Sequence, residues 1–133
     1  MKSASIWARL LAAMTRVHLS QISRRVENLA RARAFWRDTL LVPELYAFPG
    51  LAFFDLGPTR LMLRETGRRE EADILYLSTP DIGSAHTALT ERGVQMTGTP
   101  HMIHKHPDGT EEWMAFFKDD EDRDLALHMT AGA

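Results

Sequence analysis

Two stretches of this sequence repeat the same order of patterns, and the repetition limits the possible folds more than any other feature. Residues 28–36 correspond to residues 81–89, and each stretch is typical of a polar cap followed by an amphipathic helix. Further along, AFF at 52–54 recurs at 115–117, and the apolar pattern of 61–65 recurs at 125–129. Two copies of a supersecondary unit predict one domain with internal pseudo-symmetry and a site where the copies meet.

Each half is predicted to contain one strand, one helix and three further strands. Asn28 and Asp81 are suited to cap the two helices, which Pro43 and Gly93 end. The strands are predicted at 17–26, 45–48, 51–56 and 60–65, and at 74–79, 94–102, 112–117 and 125–130, with an interruption of the strand over 94–102 near Gly98 and Pro100. The order βαβββ predicts an α+β fold in which helices cover a curved mixed sheet whose inner faces form a cup. We expect an extension over 1–14 and one domain over 15–130, with module 1 at about 15–66 and module 2 at about 73–130.

Composition excludes several classes of function. A chain of 133 residues is long enough to bury the core of one domain. Its formal charge of −2 argues against nonspecific binding to nucleic acid or to an anionic membrane. The absence of cysteine excludes disulfides, thiolate nucleophiles and cysteine-ligated metals, and it is compatible with the cytoplasmic location that we expect.

The N-terminal residues are apolar but interrupted. Arg9 divides the run that starts at Ile6, so the run is shorter than the ~7–15 apolar residues of a signal peptide. It is also shorter than the ~20 apolar residues of a transmembrane helix. We expect a short amphipathic helix, or an extension ahead of a true start at Met14.

Several phrases of the sequence, taken in order, resemble one protein family. They are VENL at 26–29 with AFWRDTL at 34–40, ALTERGV at 88–94, and WMAFFKDD at 113–120. In this order they are similar to the vicinal oxygen chelate superfamily, the glyoxalase, bleomycin-resistance and extradiol-dioxygenase group. The resemblance covers about 15–130 and implies two βαβββ modules, a small-molecule site in the cup and a homodimer.

The resemblance also implies where a metal would bind. Metal-dependent members hold a divalent ion with His, Glu or Gln from four strands, and the ion polarises a substrate oxygen. Counted from the helix caps, these positions fall on Gln21, Leu63, Ile74 and Leu127. Leucine and isoleucine carry no donor atoms, which leaves Gln21 and the nearby Glu65 as weak candidates. We therefore expect no cofactor and no complete metal site.

Strand alternation predicts which side chains line the cup. The expected inward residues are Gln21, Ser23, Arg25, Leu63, Glu65, Ile74, Tyr76, Ser78, Leu127 and Met129. A mostly apolar floor with few polar groups is typical of a small-molecule pocket. Arg25 could grip a carboxylate or phosphate, and Glu65 could act as a general base. Alternatively, these two side chains pair with each other at a polar rim.

Histidines form a second group of candidates. His101, His104 and His106 lie close together beside a Pro-Asp-Gly turn, which predicts a solvated rim. The alternative is that His104 or His106 contacts a ligand at the lip of the pocket. Parity predicts that His18 and His128 face away from the cup. Phe35 and Trp36 are predicted to lie in the core.

These patterns favour a binder of a small, partly apolar molecule, similar to the antibiotic-sequestering members of the family. The alternative is a metal-dependent lyase or isomerase, similar to glyoxalases or epimerases, which would use Gln21 and Glu65 with Glu65 as the catalytic residue. A third class, an interaction module without a ligand, applies if the chain's own side chains fill the cup.

Overall fold

The computed structural model describes residues 5–9 and 17–132. Residues 6–9 form one helical turn with Ile6 and Trp7 exposed. The rest of the predicted N-terminal helix, including Met14, lies outside the described residues. Within those two ranges no helix has the length and apolar character needed to cross a membrane.

Module 1 starts with a strand and a capped helix. Asn28 caps α1 as predicted, because its side-chain oxygen accepts a hydrogen bond from the N–H of Arg31 at 3.0 Å. The helix continues into a π-helical segment, Phe35–Thr39, where the N–H of Leu40 donates to the carbonyl of Phe35. The elements of the module are β1 (Gln21–Val26), α1 (Leu29–Ala34), β2 (Glu44–Phe48), β3 (Leu51–Leu56) and β4 (Thr59–Glu65).

Module 2 repeats this order. Asp81 caps the second helix by accepting from the N–H of Ser84 at 3.0 Å, and Gly93 follows the helix with a φ of +83°. The elements are β5 (Tyr76–Ser78), α2 (Ile82–Glu91), β6 (His101–Lys105), β7 (Glu111–Lys118) and β8 (Asp124–Ala131).

One predicted strand is largely absent from the described part of module 2. The pattern predicted a strand over 94–102, but this stretch makes only an isolated bridge from Met96 to Phe117 before β6 begins at His101. The break lies at Gly98 and Pro100, where the sequence predicted an interruption, since glycine weakens a strand and proline cannot donate to its ladder.

Each module folds its strands into a four-stranded sheet of the same topology. The strand orders are β1-β4-β3-β2 and β5-β8-β7-β6. In each sheet the first strand of the module along the chain, β1 or β5, pairs in parallel with the last one, β4 or β8. All other neighbouring strands pair antiparallel. The predicted α+β class with two βαβββ modules is confirmed, and the strands form two sheets rather than one.

The two sheets bury one face each and leave the other uncovered. Paired residues on neighbouring strands point to the same side of a sheet. We call the side that packs against α1 or α2 the covered face, and the opposite side the open face. The covered faces share one core, in which Trp36 is 1% exposed as predicted and Phe35 packs at the margin. A ligand that avoids this core must meet the open faces or the space between the modules.

A buried ionic group joins the modules, and we call Arg24, Asp119, Glu121 and Arg123 the junction cluster. Asp119 Oδ2 lies 3.2 Å from Arg24 Nη2 and 3.0 Å from Arg123 Nε. Its Oδ1 accepts from the N–H groups of Glu121 and Arg123 at 2.8 and 2.9 Å. Glu121 accepts from the N–H of Glu27 at 2.8 Å. Because buried charges are tolerated only with their partners in place, the cluster holds the β7–β8 turn against β1.

Candidate functional site

The open face of module 1 carries an arginine stacked on aromatic rings, and we call Arg60, Phe53, Tyr46 and Gln21 the Arg60 platform. The guanidinium carbon of Arg60 lies 5.1 Å from the ring centre of Phe53 and 6.0 Å from that of Tyr46. Arg60 Nε donates to Gln21 Oε1 at 2.8 Å, and Nη1 donates to the Tyr46 hydroxyl at 2.8 Å. Strand register brings the four together, since Gln21 pairs with Arg60 and Tyr46 with Phe53.

Ser23 and Arg25 lie on the same open face, where the alternation of β1 predicted them. They pair in register with Met62 and Arg64. Arg25 Nη1 lies 3.4 Å from Glu70 Oε1, so its partner is a linker carboxylate and not the predicted Glu65. With its side chain 52% exposed, Arg25 keeps the ability to bind an anion.

Two predicted residues of β4 point to the covered face instead. Leu63 pairs with Arg24 and is fully buried in the core. Glu65 pairs with Val26, and its Oε2 accepts from the N–H of Leu29, the first residue of α1, at 2.8 Å. The prediction that Leu63 and Glu65 line the cup is therefore wrong. Glu65 instead holds the start of α1, where a negative charge is favourable.

The open face of module 2 is aromatic at one end. Tyr76 and Phe116 meet edge to face with ring centres 6.3 Å apart, and His101 lies 6.4 Å from Phe116. Tyr76 and Ser78 pair with Ala126 and His128, so both hold the open-face positions that parity predicted for them. Tyr76 is 51% exposed and can contact a molecule on this face.

A carboxylate flanked by two imidazoles occupies the other end of this face. Glu112 Oε1 forms a hydrogen bond with His128 Nε2, and Glu112 Oε2 forms one with His106 Nε2 at 2.9 Å. The hydroxyl of Thr130 donates to both carboxylate oxygens at 3.3 Å. The bonds from His128 and His106 lower the pKa of Glu112. His104 pairs with Glu112 across the strands, and its ring centre lies 4.7 Å from that of His106. The pattern of residues did not predict this grouping.

Strand β8 has the opposite orientation to the one predicted. Leu127 pairs with Ala115 and is 6% exposed, and Met129 pairs with Trp113 beside the core. His128, which was predicted to face away, lies on the open face. The predicted facing of Leu127, Met129 and His128 is therefore wrong. The prediction was one residue out of register along β8, and a shift of one residue exchanges the two faces of a strand.

A cavity of about 910 Å³ lies between the modules, beside the edge strands β1 and β5 and next to α2. Ile22, Ile74 and Leu127 contribute to its walls, and α2 contributes Ala85 and Ala88. Ile74 and Leu127 thus border an inter-module space, although Leu127 does not face the open sheet.

The four positions that the count from the helix caps assigned to a divalent ion do not fit such an ion. Leu63 and Leu127 lie in the core, and Ile74 has no donor atom. Gln21 Oε1 accepts from the Arg60 guanidinium, whose charge would repel a cation. Across 5–9 and 17–132, no three histidine or carboxylate side chains are arranged to hold a metal ion.

Comparisons with known proteins agree with this architecture. The model of the Glyoxalase/Bleomycin resistance protein/Dioxygenase superfamily matches residues 18–125. A search of curated proteins gives no significant match.

Solved structures similar to this chain share its fold at low sequence identity. A lactoylglutathione lyase from Agrobacterium tumefaciens has 16% identity and a TM-score of 0.68, over 86% of this chain and 95% of that one. A glyoxalase/bleomycin resistance protein/dioxygenase from Alicyclobacillus acidocaldarius has 14% identity and a TM-score of 0.70, over 86% and 92%. A superfamily member from Sphaerobacter thermophilus has 23% identity and a TM-score of 0.68, over 86% and 98%.

Proposed function

The chain belongs to the Glyoxalase/Bleomycin resistance protein/Dioxygenase superfamily, and we propose that it binds a small, partly apolar molecule on its open faces without a complete metal site. The Arg60 platform carries this proposal. Its guanidinium supplies charge-assisted donors, and the exposed ring of Tyr46, which packs on the buried Phe53, supplies an apolar surface beside them. Together these groups suit an aromatic molecule with an anionic substituent.

We also propose that the protein acts as a homodimer. Phe48 and Tyr46 on the open face of module 1 are 57% and 42% exposed, and Tyr76 on that of module 2 is 51% exposed. Exposed aromatic side chains of this kind are enriched at protein interfaces. A second copy that covers them would also exclude water from a ligand held there.

The metal-dependent alternative receives no support from its two residues. Gln21 and Glu65 lie at opposite ends of the β1–β4 pair and on opposite faces. Five residues of strand separate them by roughly 16 Å, which is too far for one ion to contact both. Binding of the antibiotic-sequestering kind therefore remains the function that we propose. We also propose a cytoplasmic location, with which the absence of cysteine is compatible.

Replacing Arg60 with alanine is expected to weaken the binding of naphthoate, an aromatic carboxylate, by about 10- to 100-fold. The reason is the loss of a charged hydrogen bond, worth about 1.5–3 kcal/mol. Isothermal titration of the two proteins measures the change, and circular dichroism verifies that the variant is folded.

Arg68→Ala is the matched control, because it removes the same charge from an exposed linker side chain. We expect it to bind naphthoate as the native chain does. Equal affinity of the native chain and Arg60→Ala, or an equal loss in both variants, would contradict the proposed role of the platform.

A further inference from the structure

The cavity between the modules offers a second binding site, separate from the open faces. Its volume of about 910 Å³ lies within the range of small-molecule sites in proteins, roughly 300–1,000 Å³. Most of its wall is aliphatic and comes from both modules, with Ile22, Leu40 and Val42 on one side and Leu75, Leu77 and Leu89 on the other. An apolar space of this size favours an apolar occupant over water.

The sequence of α2 explains why the space stays open. Ala85 and Ala88 lie one helical turn apart and contribute methyl groups where longer side chains would reach across the cavity. The neighbouring Leu89 is 5% exposed and packs in the core, so α2 is held firmly against module 2. The gap is therefore a consequence of two small residues on an otherwise well-packed helix.

Only one of the described residues that line this aliphatic space is positively charged. Arg92 follows α2 and lines the cavity. Its Nη1 donates to the carbonyl of Thr39 at 3.3 Å, and within the described part of the chain Arg92 makes no ion pair. A guanidinium with remaining donors binds a carboxylate through paired hydrogen bonds.

We propose that this cavity binds an aliphatic monocarboxylate, with its chain against the aliphatic wall and its carboxylate at Arg92. The chemistry differs from that of the open faces, which combine arginine with aromatic rings. The inference is independent of the proposed function, because neither Arg92 nor the α2 alanines belong to the Arg60 platform.

Titration with decanoate, below its critical micelle concentration, tests the proposal. We expect the native chain to bind decanoate, and Ala88→Phe to weaken binding at least tenfold because the ring fills the cavity. Thr87→Phe is the matched control: it introduces the same ring at an exposed position of α2 and is expected to bind decanoate as the native chain does. The thermal midpoint of each variant shows that it folds.

The head group is tested with Arg92→Gln and with decanol as the uncharged counterpart. We expect Arg92→Gln to weaken decanoate about tenfold and to leave decanol unchanged, while Arg68→Gln changes neither. Arg60→Ala should also leave decanoate binding unchanged. Loss of decanoate binding in Arg60→Ala, or full binding by Ala88→Phe, would place the molecule elsewhere and overturn the proposal.

The chain's own N-terminal residues are the competing occupant, since Leu19, near the start of the described range 17–132, lines the cavity. A deletion of residues 1–16 separates the two cases. We expect the deletion to bind decanoate with the affinity of the full chain. If decanoate binds only after the deletion, the cavity serves an internal contact and the proposal fails.

Discussion

Replacing Asp119 with alanine is expected to lower the free energy of unfolding by about 3–5 kcal/mol, the cost of removing one partner from a buried ion pair. The side chain of Asp119 is fully buried, and those of Arg24 and Arg123 are 3% and 2% exposed. Without the carboxylate, the buried Arg24 loses its ion-pair partner, and Arg123 keeps only the 3.4 Å contact of its Nη2 with Glu121 Oε2. Urea unfolding followed by circular dichroism measures the loss.

Asp38→Ala is the matched control for this substitution. Asp38 makes a two-point contact with Arg37 at 2.8 and 2.9 Å, but both side chains are largely exposed. Exposed pairs contribute about 1 kcal/mol or less, so this variant should unfold almost as the native chain does. Similar losses from Asp38→Ala and Asp119→Ala would mean that the junction cluster has no special part in joining the modules.

The pH dependence of the same variant follows from the pKa of Asp119. Burial raises this pKa, but hydrogen bonds from the backbone of Arg123 and Glu121, with the charge of Arg123, outweigh burial and leave it below its usual range. A lowered pKa in the folded state adds stability that is complete above the unfolded value, about 3.9, and is lost as the pH falls through the folded value. The difference in unfolding free energy between the native chain and Asp119→Ala should therefore be constant near neutral pH and shrink below about pH 4.

Introducing a charge on the open face should dissociate the proposed dimer. Phe48 is 57% exposed, and the centre of its ring lies 5.6 Å from the ring centre of Tyr46. An aspartate there would be buried against the second copy, and two-fold symmetry would place it twice in the interface. At about 2 kcal/mol for each copy, Phe48→Asp should raise the dimer dissociation constant about a thousandfold. Light scattering after size exclusion, over a dilution series, measures the change.

Leu41→Asp controls for the added charge alone. Leu41 is 59% exposed and lies in the connection between the π-helical segment and β2, outside the strands that form either open face. This variant should keep the mass of the native protein at every dilution. A native chain that is monomeric at all concentrations, or a dimer that survives Phe48→Asp, would remove the open faces from the proposed interface.

The sequence predicted the architecture well because the architecture depends on local signals that occur twice. Asn28 and Asp81 cap helices as expected, and the order of elements follows the hydrophobic periodicity of each half. The interruption near Gly98 and Pro100 was also predicted, although the structure keeps only an isolated bridge at Met96 ahead of it.

The site was harder to predict, because the orientation of a strand depends on its register. Counting from the helix cap placed Gln21 and Arg25 on the open face, but it reversed β4 and β8. The sequence held a signal that gives the right answer: Leu61 and Leu63 alternate with Arg60, Met62 and Arg64, and the apolar set of such an alternation faces the core. When a residue is assigned to a site by a family pattern, the apolar alternation of its strand should therefore also be used to decide which face of the sheet it occupies.

Contacts between residues that are far apart in the chain could not be predicted from the sequence. The turn around Asp119 was interpreted as an acidic connection, and Arg24 as the polar end of a strand. Their pairing joins residues far apart in the chain, and no local pattern encodes it. The same holds for the Arg60 platform, where Tyr46 and Gln21 both reach Arg60 only through the register of the three strand pairs β1–β4, β4–β3 and β3–β2.

Native mass spectrometry of the protein purified without chelator tests the central claim most directly, because it reads the oligomeric state and bound metal together. A glyoxalase-type scaffold that binds its ligand without metal should give the mass of two chains, with no divalent ion retained. A mass that corresponds to one nickel, zinc, manganese or iron ion for each chain would contradict this account of the site.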